Sequence, residues 1–521
     1  MLKVIAVSAP EYPYGRLNSK SLTSRDPVSL YNAGRYAAFL ADSRIGCWGD
    51  SNWAASRKNR KQNFLLMNSL AEDLSYYEEL LAREGPNLLL IGAMTVCLPG
   101  AIECARVARE MFGEEILIVL GGRHVNETMF LTKDRSEVKH HNGSPLLLML
   151  KGKIGKLFDL VIAGEGEFII AKLGEIVDRV SSKQPLTESV FRNINEDESE
   201  LRRVPGMWTL GSVKSGKIKT IISDGIPIDK DKLPSPVSMF GVSSGFAVFE
   251  NALTGHAFSD IGPGCIYDCG FCSERNSVCG PLQQLETSSN RLYRQLADIK
   301  RVIAEDAPGF KASAFVEDSI MLAGLTSQLS KLAEMLRSHP LDLKFGGQLT
   351  VDLAIKQKKL LEELRPLGLE YLFIGLETLD PRAVGGMNKD VNKRNWIKRA
   401  QTVIEEMAKL DFSIGLSVLF GLGENQKHRL SLIRQISRWQ EVFGNPKVVS
   451  FNWAVQHPLQ GNDNGCGYDY IGWGINSSEY LEALKDYGEA SIIYSLANIK
   501  APALSELAEI NVAKKTIEAR P

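Results

Sequence analysis

The 521-residue sequence predicts an α/β protein with an open parallel sheet in its N-terminal part, then a partial (β/α)6 barrel and a helical C-terminal tail. Two observations predict this class. Short apolar segments alternate with stretches of helical periodicity in both parts of the chain, which is typical of parallel sheets covered by helices. The chain is also too long for one ordinary hydrophobic core. We therefore expect an α/β domain at 1–190, a linker with a small hairpin at 191–250, the barrel at 251–460 and a helical extension at 461–521.

Four short apolar segments predict the strands of the N-terminal sheet, because buried parallel strands are continuous apolar runs. They lie at 3–8, 87–92, 115–122 and 158–167, with helical spacing at 28–40, 99–112 and 168–180. Two of these segments end in glycine-rich sequences, Gly121-Gly122 and Gly164-Glu165-Gly166-Glu167. In open, Rossmann-like sheets, ligands bind beyond the carboxyl ends of the strands, so these loops are expected to approach a ligand.

Six further apolar segments, separated by helical ones, predict the partial barrel. Strands are expected at 256–261, 312–318, 343–347, 371–378, 413–421 and 448–455, and helices at 289–304, 325–338, 352–364, 395–410 and 428–443. Functional side chains are expected at the carboxyl ends of the strands. Two more helices, at 477–496 and 504–519, form the predicted tail.

The composition argues against several kinds of partner. The 61 basic and 62 acidic residues leave a net charge of −1, so there is no electrostatic basis for binding nucleic acid. No apolar run is long enough to span a membrane, and the first residues are typical of a strand rather than a signal peptide. Eight cysteines without a disulfide framework fit a reducing, cytoplasmic location.

Three of these cysteines, Cys265, Cys269 and Cys272, form a C-x3-C-x2-C array flanked by glycines. Thiolates are the usual ligands of iron–sulfur clusters, and three on one short loop can bind three corners of a cubane. The fourth iron of a [4Fe–4S] cluster would then be open to a small molecule. A zinc knuckle with Cys279 as a fourth ligand is one alternative, although no second closely spaced pair follows. Buried free thiols are the other alternative.

The array resembles the signature of the radical S-adenosylmethionine (SAM) superfamily, including the aromatic residue Phe271 before the last cysteine. The resemblance implies that the three cysteines hold a [4Fe–4S] cluster and that SAM chelates the open iron. Electron transfer into SAM then gives methionine and a 5′-deoxyadenosyl radical. The resemblance also implies an electron donor such as a flavodoxin or a ferredoxin, and a small-molecule or peptide substrate.

Two segments of the predicted barrel extend this resemblance. The segment 374–377 is similar to the family's fourth-strand element, which implies that Gly375 and Glu377 help to seat SAM. Carboxylates suit the ammonium group and the ribose diol of SAM, because charge-assisted hydrogen bonds are strong. The segment 420–424 is similar to the fifth-strand element.

Four more polar residues are candidates at strand ends. Two of them match carboxylates commonly found at the second strand end of the family. Contact with SAM and contact with substrate both stay open for all four, which are Glu317, Asp318, Gln348 and Asn452.

Three segments of the N-terminal domain, at 90–95, 119–124 and 159–167, are similar to the cobalamin (B12)-binding domain that precedes many radical SAM domains. The resemblance implies a corrin over the strand ends and a groove for its nucleotide tail. The residues that would line this site are Thr95, Gly121, Gly122, Gly164, Glu165, Gly166 and Glu167. The Asp-x-His-x-x-Gly motif that ligates cobalt in the methionine-synthase type is absent. His124 is therefore expected to be a loop histidine bonded to the backbone.

The chain thus resembles a cobalamin-type radical SAM enzyme, and methyl transfer to an unactivated carbon or phosphorus is the expected reaction. A cyclase or another oxidative rearrangement is the alternative within the superfamily, and a non-catalytic corrinoid sensor is the alternative outside it. A tRNA methylthiotransferase is disfavoured, because Cys47, Cys97 and Cys104 match its additional cluster cysteines poorly. Cys466, alone in a loop, is expected to be incidental rather than catalytic.

Overall fold

The computed structural model describes residues 1–10, 46–53, 56–67, 70–132, 134–242, 245–262, 264–380, 395–421, 424–453, 458, 460, 470–471, 479, 483, 487 and 503–518. The chain divides into two compact units. The first is Met1–Gly241 with His457–Trp473, and the second is Val242–Gln456 with Gly474–Pro521. None of the helices in the described residues combines the length and the apolar character that a membrane span requires.

The first unit is built around a seven-stranded sheet. Its strands are β1 (Val4–Ser8), β2 (Phe64–Leu66), β3 (Leu88–Gly92), β4 (Leu117–Gly121), β7 (Leu160–Gly164), β8 (Trp208–Lys214) and β9 (Lys217–Ile222), and a separate small ribbon is formed by β5 (Met129–Leu131) and β6 (Val138–His140). The order is β2-β1-β3-β4-β7-β8-β9, and the first five of these are parallel. The central strands are apolar and buried, as a sheet covered on both faces requires. The predicted open parallel sheet is confirmed.

Helices connect these strands. They are α1 (Arg57–Gln62), α2 (Leu70–Glu84), α3 (Leu98–Phe112), α4 (Arg123–Thr128), α5 (Pro145–Leu150), α6 (Glu167–Val180), α7 (Leu186–Glu196), α8 (Glu198–Arg202) and α9 (Pro236–Phe240). The sequence explains both ends of α3. Pro99 lies in its first turn, where the missing amide hydrogen costs no helical bond. Gly113 follows its last residue with a φ of 55°.

The hairpin predicted in the linker is present, but it belongs to the first sheet. β8 and β9 are antiparallel and turn at Ser215 and Gly216, which both have positive φ. β8 also pairs with β7, so the hairpin covers an edge that the parallel strands would otherwise expose. The compact first unit accordingly continues to Gly241 instead of ending near residue 190.

The second unit contains six parallel strands in sequential order, as expected for the partial barrel. The strands are β10 (Ala252–Ala257), β11 (Lys311–Val316), β12 (Lys344–Thr350), β13 (Leu369–Glu377), β14 (Ser413–Phe420) and β15 (Val448–Trp453). The helices are α10 (Asn276–Cys279), α11 (Ser288–Asp306), α12 (Thr326–Ser338), α13 (Val351–Lys356), α14 (Lys358–Leu364), α15 (Trp396–Lys409) and α16 (Gln426–Phe443). The first strand lies four residues earlier than predicted, so the loop that carries the cysteines also begins earlier.

Side chains of this sheet alternate between the surrounding helices and an inner face. On the inner face, Phe315 of β11 and Tyr371 of β13 pack against Phe246 and Phe249. Neighbouring ring centroids in this group lie 5.5–6.2 Å apart. The aromatic cluster occupies part of the inner face, and functional side chains are expected at the carboxyl ends of the strands.

The C-terminal helix α17 (Leu504–Glu518) packs against α16. Gln426 Nε2 donates to the carbonyl oxygen of Glu506 at 3.0 Å. The helix predicted at 28–40, most of that predicted at 477–496, and Cys466 lie outside the described residues.

Candidate active site and cofactor residues

The three cysteines lie on one loop between β10 and α10. Cys265, Cys269 and Cys272 are half-buried and form no disulfide. The amide N–H of Tyr267 donates to Cys265 Sγ at 3.5 Å, and that of Glu274 donates to Cys272 Sγ at 3.4 Å. Hydrogen bonds to sulfur stabilise thiolates and tune the potential of a cluster that they hold. The loop is therefore suited to present thiolate ligands.

The three thiols are candidate ligands of a cluster rather than of a single metal ion. Among the described residues, no three His, Cys, Asp or Glu side chains converge where they could share a single metal ion. A cubane does not require such convergence, because each thiolate binds a different iron. The thiol of Cys279, the fourth ligand considered for zinc, donates to the carbonyl oxygen of Ser273 at 3.4 Å.

The cysteine loop is also attached to the third strand of the barrel. Tyr267 hydrogen-bonds to Thr350 at the end of β12, and burial raises the pKa of its phenol. The carbonyl oxygen of Tyr267 accepts from the amide of Asn276 at 3.0 Å. The bond to Thr350 holds the loop against the carboxyl end of the sheet, where functional groups of such barrels are found, and the bond to Asn276 lies within the loop segment.

Glu317, one of the predicted carboxylates, follows β11 and bonds to a histidine of β10. His256 Nδ1 lies 2.6 Å from Glu317 Oε1, and the two side chains are only 11% and 21% exposed. Nearby, Thr254 and Ser313 share a hydroxyl hydrogen bond of 2.8 Å. The inner face of the first two strands is thus lined by paired polar groups.

Glu377 ends β13 at a β-bulge. The ladder with β14 shifts between Gly375 and Glu377, and Glu377 has a φ of 60°. A left-handed backbone costs a non-glycine residue about 1–3 kcal/mol, and such residues cluster at functional sites. The side chain is 7% exposed, and its Oε2 accepts from the hydroxyl of Ser417 at 3.3 Å. Gly375 pairs with Ser417 in the ladder, and Glu377 hydrogen-bonds to the same serine. The bulge therefore leaves Glu377 on the inner face beside Gly375.

Asp318 holds the segment that enters the cysteine loop. Its Oδ1 accepts from the amide of Ser259 at 2.9 Å, and its Oδ2 accepts from the Ser259 hydroxyl at 2.6 Å and from the amide of Leu322 at 3.2 Å. Burial raises the pKa of this carboxyl to about 6 despite these hydrogen bonds. Asp318, which the sequence predicts to contact SAM or substrate, thus hydrogen-bonds to the protein itself.

Gln348 and Asn452 are half-buried on β12 and β15. Asn452 Nδ2 donates to the carbonyl oxygen of Val418 at 3.3 Å, and the hydroxyl of Ser450 donates to Asn452 Oδ1 at 3.4 Å. Both residues lie in the carboxyl halves of their strands. Their contact with SAM or substrate stays a prediction.

In the first unit, the two glycine loops follow neighbouring parallel strands, since Gly121 ends β4 and Gly164 ends β7. Gly122 has a φ of 100°, and a Cβ there would lie 2.6 Å from the backbone of Ala93. Gly164 has a φ of 91°, and a Cβ there would lie 2.1 Å from the carbonyl oxygen of Met207. Close approach of the chain to itself therefore explains both glycines. Gly122 and Gly164 nevertheless remain exposed at the carboxyl edge of the sheet.

The other residues of the second glycine loop stabilise its conformation. Glu165 Oε2 accepts from the amide of Met207 at 3.0 Å, and its Oε1 lies 3.3 Å from Lys230 Nζ. Gly166 precedes α6 and Glu167 is its first residue, where a carboxylate interacts favourably with the helix dipole. A contact of these residues with cobalamin stays a prediction.

Thr95 belongs to a buried polar network. Its hydroxyl donates to Glu127 Oε2 at 3.3 Å and lies 3.3 Å from His124 Nδ1. His124 Nε2 donates to the carbonyl oxygen of Gly143 at 2.9 Å. The histidine is therefore bonded to the backbone, as expected, although it lies in α4 and not in a loop. Both of its ring nitrogens have protein partners.

Several residues of these sites were not predicted from the sequence, among them His256, Glu127, Arg291 and Gln295. Arg291 and Gln295 are four residues apart on α11, and both are buried. The sequence did contain one indication of their role, because two polar residues four positions apart lie on the otherwise apolar side of a predicted helix. For His256 the sequence offers no comparable signal.

Comparison with protein-family models matches residues 259–436 to the radical SAM superfamily. This part of the chain is a radical SAM domain. The matched residues begin at Ser259, just before the cysteine loop, and include Glu377 of the bulge. The resemblance based on the cysteine array is confirmed. A radical SAM domain takes a [4Fe–4S] cluster and SAM, and the three thiols supply ligands of the right kind for that cluster.

The fold around the radical SAM domain is similar to solved structures. The cobalamin-dependent S-adenosylmethionine radical enzyme OxsB, with aqua-cobalamin and S-adenosylmethionine bound, matches with a TM-score of 0.51 and 13% identity over 100% of this chain and 62% of that chain. The radical S-adenosylmethionine methyltransferase TsrM from Kitasatospora setae, with cobalamin and a [4Fe–4S] cluster bound, matches with a TM-score of 0.51 and 12% identity over 90% of this chain and 79% of that chain. These matches establish the fold.

OxsB is longer than this chain. In its structure with aqua-cobalamin bound, the match has a TM-score of 0.50 and 14% identity over 84% of this chain, and it covers 52% of that chain. The chain thus spans about half of the protein that it matches there. No curated protein matches the chain in a sequence search.

Proposed function

We propose that the protein is a cobalamin-dependent radical SAM enzyme that transfers a methyl group to an unactivated carbon, or to phosphorus, of a small-molecule or peptide substrate. One observation carries the proposal. The chain joins a radical SAM domain to an N-terminal open parallel sheet, in a fold that it shares over its whole length with OxsB bound to cobalamin and SAM. The methyltransferase TsrM has the same fold, which favours methyl transfer over rearrangement.

The barrel domain would bind the cluster and SAM. Cys265, Cys269 and Cys272 would ligate three irons and leave the fourth to SAM. Glu377 lies on the inner face, where its carboxylate would accept a hydrogen bond from the SAM ammonium group or ribose. His256 lies on the same face and would orient the substrate near the reacting carbon of SAM.

Cobalamin would lie at the carboxyl edge of the first sheet, and when bound it would serve as the carrier of the methyl group. A flat macrocycle needs an edge without protruding side chains. Gly121, Gly122 and Gly164 provide such an edge on adjacent strands. His124 would not ligate cobalt, because both of its ring nitrogens are engaged within the protein.

The proposed reaction consumes two SAM molecules for each methyl group. One SAM loses its methyl group and leaves as S-adenosylhomocysteine. The other takes up an electron, breaks its C5′–S bond and leaves as methionine and a 5′-deoxyadenosyl radical. This radical takes a hydrogen atom from the substrate and becomes 5′-deoxyadenosine. The substrate radical then takes up the methyl group that the first SAM lost, and the methylated product forms. Two electrons per turnover balance the reaction, and a flavodoxin or a ferredoxin would supply them.

Anaerobic reconstitution tests the proposal. The protein is purified from cells supplied with cobalamin, the cluster is rebuilt, and bound corrinoid is measured by absorbance and mass spectrometry. It is then incubated with a reductant, a metabolite extract and SAM that carries a trideuterated methyl group. We expect one corrinoid per chain, equal amounts of S-adenosylhomocysteine and 5′-deoxyadenosine, and a metabolite that has gained a trideuterated methyl group in place of hydrogen.

Other results of this experiment would support the alternative functions. 5′-Deoxyadenosine without S-adenosylhomocysteine would indicate a cyclase or another rearrangement. Bound corrinoid without SAM cleavage would indicate a corrinoid sensor. Cys272→Ala is the control, since it removes a cluster ligand on the barrel and leaves the first unit unchanged. It should abolish 5′-deoxyadenosine formation and keep the corrinoid.

A further inference from the structure

Residues 258–260 enter the cysteine loop, and a buried side chain of α11 binds the first and the last of them. The amide of Phe258 donates to Gln295 Oε1 at 2.8 Å. Gln295 Nε2 donates to Asp260 Oδ2, also at 2.8 Å. One glutamine thus uses both ends of its amide to fix residues on either side of Ser259.

Ser259 itself is held from two directions. Asp318 accepts from its amide at 2.9 Å and from its hydroxyl at 2.6 Å. Arg291 Nε donates to its carbonyl oxygen at 2.8 Å. Every polar group of Ser259 therefore has a buried side-chain partner. We refer to the three side chains that hold residues 258–260 as the loop clamp, and they are Arg291, Gln295 and Asp318.

Arg291 also binds the chain after the cysteine loop. Its Nη2 donates to the carbonyl oxygen of Gln284 at 2.5 Å, and its Nη1 donates to Thr287 Oγ1 at 2.5 Å. Ser259 precedes all three cysteines and Gln284 follows them. One guanidinium therefore joins the two ends of the cysteine loop, and its planar, forked set of donors suits this task.

The burial of the loop clamp points to positioning rather than packing. Arg291 is 0% exposed, Gln295 1% and Asp318 8%. A buried ionic group costs several kcal/mol of desolvation and is often replaceable by apolar residues without loss of stability. An apolar residue cannot supply directional hydrogen bonds to both ends of the loop.

Backbone conformation gives a second, independent observation. Asp260 and Gln284 flank the loop, and both have left-handed backbones, with φ of 54° and 48°. Such residues persist only where the surroundings over-determine them. Asp260 is bound by Gln295 and Gln284 is bound by Arg291. The clamp thus acts at the two points where the chain turns into and out of the cysteine loop.

We propose that Arg291, with Gln295 and Asp318, positions the cysteine loop so that the three thiolates retain the cluster and present its open iron to SAM. In this assignment Asp318 acts through Ser259 and does not contact SAM. The inference rests on the cluster within the proposed function and is independent of cobalamin and of methyl transfer.

The test compares Arg291→Met and Arg291→Lys with Arg301→Met. Arg301 lies on the same helix but on the surface, where it pairs with Asp298 and Glu305. R301M therefore repeats the chemical change and the loss of charge away from the loop. The reconstituted proteins are treated anaerobically with an iron chelator, and the rate of cluster loss is followed by absorbance.

We expect both Arg291 variants to lose the cluster about 10- to 100-fold faster than the wild type, as is typical when a residue that supports metal ligands is removed. R291K should not rescue, because an ammonium group cannot make the forked set of bonds. The change that SAM causes in the electron paramagnetic resonance spectrum of the reduced cluster should shrink in the same variants. R301M should match the wild type in both measurements.

Wild-type rates and spectra in R291M would overturn the inference, whereas a wild-type protein that takes up no cluster would overturn the proposed function. If R291M does not fold, Thr287→Val and Ser259→Ala are measured in its place. Each removes one contact of the clamp and should still accelerate cluster loss. Wild-type behaviour of both variants would likewise overturn the inference.

Discussion

His256 Nδ1 and Glu317 Oε1 lie 2.6 Å apart and join the first two strands of the barrel across its inner face. A carboxylate at this distance holds an imidazole in the tautomer with Nδ1 protonated and fixes the orientation of the ring. The two side chains are therefore expected to act as one unit.

The first prediction is that substitutions of this pair are not additive. His256→Gln and Glu317→Gln should each lower the rate of 5′-deoxyadenosine formation, by about tenfold, and the double variant should be no slower than the slower single variant. The rates are measured with saturating SAM and equal cluster content. Independent effects that multiply in the double variant would contradict a shared role.

The second prediction separates the ligand contact of Glu377 from its backbone strain. Glu377→Gln should weaken SAM binding about tenfold, because it removes the charge from a charge-assisted hydrogen bond. Glu377→Gly should weaken binding at least as much, yet unfold at a higher temperature than E377Q, because glycine adopts a φ of 60° without strain. Equilibrium dialysis and calorimetry measure the two effects. Unchanged SAM affinity in E377Q would remove Glu377 from the SAM site.

The third prediction concerns the four cysteines around the loop. Alanine at Cys265, Cys269 or Cys272 should each abolish the cluster, because a cubane held by three thiolates is left with two. Alanine at Cys279 should leave iron and sulfide content unchanged, since its thiol donates to a backbone carbonyl of the loop. Loss of the bound metal in C279A as well as in the other three variants would make Cys279 a fourth ligand and would restore the four-ligand alternative.

The fourth prediction concerns the glycine loop at the end of β7. Gly164→Ala and Gly216→Ala both place a side chain on a left-handed backbone, with φ of 91° and 70°. At Gly216 no atom lies within 4 Å of the new Cβ, so we expect only the backbone cost of about 1 kcal/mol. At Gly164 the Cβ would lie 2.1 Å from the Met207 carbonyl oxygen, so the loop must move.

We therefore expect G164A to have a clearly lower unfolding temperature than G216A and to lose corrinoid binding, which G216A should keep. Thermal unfolding and corrinoid content are measured on both variants. Equal behaviour of the two would mean that the loop adapts to the added methyl group, and would separate Gly164 from the cobalamin site.

The fifth prediction follows from the pKa of Asp318, which burial raises to about 6. An unfolded aspartate has a pKa of about 3.9. The folded protein therefore binds this proton more tightly, and the resulting stability is complete below pH 4 and is lost as the pH rises through 6. Between pH 5 and 7.5 this group should lower the free energy of unfolding by about 1 kcal/mol.

The Asp318→Asn variant should lack this pH-dependent contribution to the free energy of unfolding. The charged groups near Asp318, which include Asp260, Glu317 and Arg291, are present in both proteins, so the difference between the two isolates Asp318. Unfolding of the cluster-loaded proteins is measured anaerobically across this pH range. A difference in stability that does not change with pH would show that Asp318 does not titrate there.

Much of the fold could be predicted from the sequence, because buried parallel strands and helices leave strong periodic signals. The strands β13 and β14 and the helix α11 lie within a few residues of their predicted positions. The sequence could not predict that the hairpin joins the first sheet. The turn at Ser215 and Gly216 pairs β8 with β9, but it carries no information about the pairing of β8 with β7.

The candidate site divides in the same way. The local sequence alone nominates the three cysteines at fixed spacing on one loop and the strand-end glutamate Glu377 as candidates. The partners of Asp318 and the two ends of the loop joined by Arg291 depend on tertiary packing between residues far apart in sequence. In the sequence, Glu317 and Asp318 are adjacent carboxylates at a strand end. Nothing there indicates that Glu317 contacts His256 and that Asp318 contacts Ser259.

The bulge at the end of β13 also constrains how this strand can change during evolution. Neighbouring residues of a strand point to opposite faces, so a change of length by one residue exchanges the faces. Deleting one residue between Gly375 and Glu377 would restore an even ladder with β14, but it would carry the carboxylate to the face that Val418 occupies. Homologous chains that keep the same use of Glu377 are therefore expected to differ here by substitution and never by an insertion or a deletion.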